Sequence, residues 1–206
     1  MKRYLIIGSA PSATLITPYL NKLNSYYDAV FAINNAWSLV KDIDFYWSVS
    51  TDFGTLGTIQ PDTQLKRMVD YFGKSLIDGE ELHKTYDPDN LIPYGTMYLN
   101  TLYYIINNTS PDTTIEIHVI GSDFDYSNDK THFYGVGKTT KETDNSIKAN
   151  APELAGKAAD PLRYGTHNLV TLLNKPVTHN IKIYSLSDNP NQLLPYERLN
   201  IHSLYN

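Results

Sequence analysis

The chain has no cysteine among its 206 residues, which excludes a disulfide framework, a thiolate nucleophile and a cysteine-built zinc site. Positive charge is also short. Seventeen Lys and Arg stand against 22 Asp and Glu, for a net charge of -5. Nonspecific binding to duplex DNA or RNA needs clustered cations, so a nucleic-acid partner is not expected. No apolar run approaches the roughly 20 residues of a membrane-crossing helix, and no charged and apolar leader precedes the first strand pattern. The expected location is therefore cytoplasmic, with no membrane span. Neither a complete G-x-G-x-x-G nor a complete G-x-x-x-x-G-K-[ST] occurs, since Gly73-Lys74-Ser75 and Gly137-Lys138-Thr139 have Met68 and His132 where the leading glycine belongs. This removes the dinucleotide fingerprint and the Walker loop.

What is present is an ordinary globular composition, 41% hydrophobic and 19% charged, at a length that fits one domain spanning residues 1–206. Tyrosine is the exception, with 17 copies against 6 Phe. Tyrosines line sugar and nucleotide pockets, and they also pack ring-inward with the hydroxyl showing.

The stretch that organises the chain is its opening. Tyr4-Leu5-Ile6-Ile7 is an apolar run suited to a parallel strand buried on both faces. It ends in Gly8, Ser9 and Ala10, followed by Pro11, Ser12 and a helical pattern from Ala13 to about Ser25. Gly8 and Ala10 leave room for a ligand to approach the backbone. Pro11 suits a first helical position, and Ser9 or Ser12 can cap the helix. A strand, a small-residue turn and a helix start form a phosphate-binding arrangement, although an ordinary first βα connection has the same sequence.

Further strands follow at Ala29 to Ile33, Asp44 to Ser50, Ile115 to Ile120 and Ile181 to Leu186, the last expected of the chain. A short one is expected near Ser75 to Ile77. Helices are expected at Gln60 to Phe72, Thr96 to Ile106 and Pro161 to Asn174, the second burying Leu99, Leu102, Tyr103 and Ile106. Alternating strands and helices predict an α/β fold: a Rossmann-like domain whose mainly parallel sheet is flanked by helices. Ligands of such sheets lie across the strand C-termini. Those ends here carry Gly8 to Ser12, the amides Asn34 and Asn35, Thr51-Asp52, and Gly121-Ser122-Asp123-Phe124-Asp125-Tyr126. Residues 127–160 are polar and rich in turn formers, a length that suggests a lid-like loop.

His132 lies in that loop within Lys130-Thr131-His132-Phe133-Tyr134-Gly135, and an imidazole can take a proton from an acceptor hydroxyl. Anchoring the loop is its alternative role. Asp123 can orient a ribose, a histidine or a metal, or can cap its own turn. Asp52, Asp123 and Asp125 could together hold Mg²⁺ through oxygen, as pyrophosphoryl transfer requires. Tyr126 and Tyr134 can close over a ligand or simply pack. His118 lies inside a strand and reads as structural, and His202 reads as a surface residue.

The stretches Ile6 to Ser12, Ile33-Asn34-Asn35, Pro93-Tyr94-Gly95, Ile120 to Phe124 and Ile181 to Leu186 occur in an order that resembles the family 42 bacterial sialyltransferases. It also resembles their relatives typified by archaeal 6-hydroxymethylpterin pyrophosphokinase. The resemblance implies a Rossmann-like core and a nucleotide-sugar donor, with no cofactor required. It implies donor contacts at Gly8, Ser9, Ala10, Ser12 and Asn34 or Asn35. The family's Ser/Thr pair before the glycine-led helix is replaced by Pro93 and Tyr94, ahead of Gly95. The family's loop histidine has no counterpart between Ala151 and Tyr164, which leaves His132 and His167 as substitutes for the base. The expected activity is thus a transferase using a nucleotide-activated donor, with donor-side contacts extending to Tyr94, Gly95, Ser122, Asp125, Tyr126 and Tyr134. A Mg²⁺-dependent pyrophosphokinase and a non-catalytic nucleotide-binding module are the alternatives.

Overall fold

The computed structural model describes residues 1–49, 77–78, 97–123, 125, 132–133, 180–192, 194 and 196–206. Seven strands among them form one sheet: β1 (Lys2–Ile7), β2 (Ala29–Ile33), β3 (Tyr46–Val49), β4 (Ile77–Asp78), β5 (Ile115–Ile120), β6 (Ile181–Ser185) and β7 (Glu197–Arg198). Every pairing is parallel, and the spatial order is β4-β3-β2-β1-β5-β6-β7. The chain has an α/β, Rossmann-like fold.

Parallel strands covered on both faces bury successive side chains to opposite sides. In β1 this gives Leu5, Ile6 and Ile7, all at 0% exposure. Leu5 and Ile7 join Val30, Ala32, Trp47 and Ile120 on one face. Ile6 joins Phe31, Ile33, Ile117 and Val119 on the other. Each such side chain contributes about 1.5–3 kcal/mol of transfer free energy. The second face is covered by α3 (Met97–Asn107), which presents Tyr98, Leu102, Ile105 and Ile106. Of the stripe expected on this helix, Leu102 and Ile106 are buried, and the side chains of Leu99 and Tyr103 lie outside the described residues.

The first face is covered by the segment after β1, by α2 (Trp37–Val40) and by α4 (Ile201–Leu204). The segment after β1 departs from the expected α-helix. It is a 3-10 helix over Pro11–Tyr19, continuing as α1 (Leu20–Tyr26). Pro18 sits inside it, and a proline there has no N–H to give to an α-helical ladder. Pro11 does occupy the start of the helix, but the N-cap is Ala10, with no side-chain capping bond. Neither Ser9 nor Ser12 acts as a cap. The sheet also does not end at β6, because β7 follows beside it.

Strands β1 to β4 step outward on one side, and the chain then returns to place β5 against the other edge of β1. The order therefore reverses between β1 and β5. In open α/β sheets the crevice at that reversal, beyond the strand C-termini, is where ligands lie.

Candidate functional site

At the reversal the two chains stay joined past the strand ends. Gly8 donates its N–H to Ile120 O at 2.7 Å, and Ala10 donates to Gly121 O at 2.8 Å. A Cβ on Gly8 would lie 2.2 Å from Gly121 O and 2.5 Å from Ser122 Oγ. Gly121 itself has φ +71°, and its Cβ would lie 2.5 Å from Gly8 O. The close approach that Gly8 permits is thus to the β5 loop. The amides of Gly8, Ala10 and Ala13 are all engaged within the protein, and Pro11 has none. Ser9 and Ser12 carry the remaining amides of the turn.

Ser12 is 5% exposed and sits between the two loops. Its Oγ accepts from Gly121 N at 3.1 Å and donates to Asp123 Oδ1 at 2.8 Å. This fixes the direction of its hydroxyl proton. Asp123 is 1% exposed, so its carboxyl needs partners inside the protein. Besides Ser12, the Asn189 amide reaches it: Nδ2 is 3.5 Å from Asp123 Oδ2 and donates at 3.1 Å to Asp125 Oδ2. Asn189 is oriented in turn by its own loop. Its Oδ1 accepts from Asn191 N at 2.9 Å, and its backbone N–H donates to Ser187 Oγ at 3.1 Å. The ends of β1, β5 and β6 therefore meet on Ser12, Asp123, Asp125 and Asn189.

Ser9 extends this edge in two more directions. Its Oγ donates to Ile33 O, the last residue of β2, at 3.4 Å. Its carbonyl accepts from Phe133 N at 2.9 Å. Phe133 also packs on the first-face core, so this part of the long loop crosses the opening turn. That places His132, half-buried, next to the residue bonded to Ser9. Asn34 follows β2 with φ 47°, a left-handed conformation that asparagine tolerates better than most residues. Its carbonyl accepts from Trp47 Nε1 at 2.8 Å, and neighbouring Asn35 is buried.

Of the expected site residues, Gly8, Ser9, Ala10, Ser12, Asn34, Asn35, Ser122, Asp123, Asp125 and His132 thus lie at the strand C-termini or beside them. Asp52, Tyr94, Gly95, Tyr126, Tyr134 and His167 lie outside the described residues, as do the helices expected at 60–72 and 161–174. Asn189 is the residue that sequence reasoning missed as a site member. Its only signal is its place in Ser187-Asp188-Asn189-Pro190, just after a strand. Among the described residues no three acidic or histidine side chains converge as metal ligands.

Among the described residues, strongly shifted titratable groups occur within the two packed faces of the sheet. His118, in the middle of β5, is lowered to about 4, chiefly because burial disfavours its charged form. Its Nδ1 pairs with Tyr27 Oη at 2.7 Å, and Tyr27 Oη also meets Tyr205 Oη at 2.6 Å. Burial raises both tyrosines well above their usual range. On the opposite face, Tyr98 Oη meets Tyr196 Oη at 2.6 Å, and burial pushes Tyr196 up to about 12. No protein-family model, curated protein or solved structure matches the chain.

Proposed function

We propose that the chain is a transferase using a nucleotide-activated donor, of the sialyltransferase-like glycosyltransferase kind, with the donor laid across the C-termini of β1, β2 and β5. The observation that carries this reading is the convergence on the opening turn. Ser9 is bonded to the end of β2 and to the 132–133 segment, while Ser12 is bonded to Asp123. A nucleotide over the turn would lie between Asn34 on one side and His132 on the other. In this reading His132 takes the acceptor hydroxyl's proton as the oxygen bonds the sugar's anomeric carbon. The nucleotide leaves with the electron pair of the broken bond. Asp123, already engaged by Ser12 and Asn189, acts as a positioning residue for the loops.

The test is a thermal-shift panel of CMP, UDP, GDP, ATP and GTP, each with and without Mg²⁺. A ligand at a hundredfold its dissociation constant adds about 2.7 kcal/mol, several degrees in a chain of this size. A shift with a pyrimidine nucleotide that ignores Mg²⁺ is the expected result. His132→Ala should then abolish transfer while nucleotide binding persists, and undiminished transfer would remove His132 from the base role.

One observation favours a second reading, a Mg²⁺-dependent pyrophosphokinase: Asp123 and Asp125 approach the same Asn189 amide. With no three-ligand cluster among the described residues, that reading needs a further ligand such as Asp52. Its signature is a shift only with a triphosphate plus Mg²⁺. Nucleotide binding with neither transfer nor hydrolysis would instead mark a binding module.

A further inference from the structure

We infer a second ligand site, for a small organic monocarboxylate with an apolar body, in the cleft between the 3-10 helix and the ends of β6 and β7. The inference stands apart from the proposed transferase activity. The cleft encloses about 360 Å³, within the range of small-molecule sites. Its apolar lining is Leu15, Leu186, Leu199 and Ile201. These belong to the first-face core or pack against it, so the cleft has a built hydrophobic floor.

Charge on the rim selects the ligand's head group. Arg198 lines the cleft and donates from Nη2 to Pro190 O at 3.2 Å. It pairs with no carboxylate among the described residues, although acidic side chains outnumber basic ones in the chain. A guanidinium has five N–H donors in a fork that matches a carboxylate, so most of its capacity is unused. His202 shares the rim, and its Nδ1 is tied to Tyr19 Oη at 2.5 Å, which orients the ring and leaves Nε2 for another partner. Asp188, also on the rim, opposes a second negative charge. One carboxylate on a hydrocarbon body satisfies both floor and rim, and a dianionic phosphate does not. Ser187 lines the same cleft and accepts from Asn189 N, so this site and the Asp123 site share one turn.

The experiment is an amide NMR titration of the full chain with hexanoate, and with hexylamine as the charge-reversed probe. Saturable shifts with hexanoate are expected at residues 186–188 and 198–202, with none there for hexylamine. Arg198 is exposed, so Arg198→Gln should fold normally and weaken hexanoate binding at least tenfold. No saturable hexanoate response, equal binding of hexylamine, or unchanged affinity in Arg198→Gln would each overturn the assignment.

Discussion

His118 and Asp123 are five positions apart on β5 and its extension, and each is 1% exposed. Their surroundings differ completely. His118 faces the rings of Tyr26, Tyr27 and Tyr184, with Glu116 Oε1 3.4 Å from its Nε2 but not hydrogen-bonded to it. Arg3, bonded to Glu116 at 3.1 Å and lying over Tyr26, completes the shell. Asp123 lies past the strand end, where two other loops deliver a hydroxyl and an amide to its carboxyl. Burial in mid-strand among aromatic rings makes a titratable group part of the core. Burial at a strand C-terminus, among donors from separate loops, makes it a junction. Burial alone therefore does not mark a functional group in this sheet.

The most damaging way to break the comparison is to open the seam between β1 and β5. Gly8→Ala would force a methyl to within 2.2 Å of a backbone oxygen that has no flexible side chain to yield. A loss of about 3 kcal/mol or more is expected, at the upper end of ordinary substitutions. Urea unfolding measures it. Loss of stability within a few tenths of a kcal/mol would mean that the loops separate easily and that Asp123 is not held by the seam.

A pH titration of stability tests the His118 half. The unfolded-state value is near 6.5 and the folded value about 4, so the unfolded chain binds more protons between those limits. Stability is full above pH 6.5 and falls as the pH drops toward 4, by about 3 kcal/mol from this group. Below pH 4 its contribution is flat. His118→Leu should flatten the slope in that window, measured as the urea midpoint against pH. An unchanged slope in the variant would assign the pH dependence to other groups.

The core half of this contrast was legible in the sequence, and the junction half was only partly so. Strands β2 and β5 occupy the residues expected from their apolar runs, because period and hydrophobicity are local signals. The segment after β1 read as an α-helix because its apolar spacing suggests one, yet Pro18 was the visible sign of the 3-10 turn. β7 is two residues long and has no period to detect. At the junction, residue types and strand ends pointed to Ser12 and Asp123, but their bond joins positions 111 residues apart. Asn189 is 66 residues from Asp123, and nothing in local spacing reports that pairing. Ser12 read as a cap or a phosphate contact, whereas its hydroxyl is spent between Gly121 and Asp123.

Ser12→Ala isolates that junction at the smallest cost. It removes a donor from a buried carboxyl and leaves the buried Gly121 N–H without its acceptor. Leaving such groups unsatisfied costs about 1–3 kcal/mol. Asn189→Ala removes the other side-chain donor, and Asn189 is half-buried, so water can replace part of its role. Its effect should be smaller, about 0.5–1.5 kcal/mol. Because both residues act on the same carboxyl, the double variant should depart from additivity by at least about 0.5 kcal/mol. The same substitutions should leave the pH slope assigned to His118 unchanged, since that group sits in a separate shell. Strict additivity would show that Ser12 and Asn189 stabilise the chain independently, and that Asp123 joins β1, β5 and β6 in geometry but not in energy.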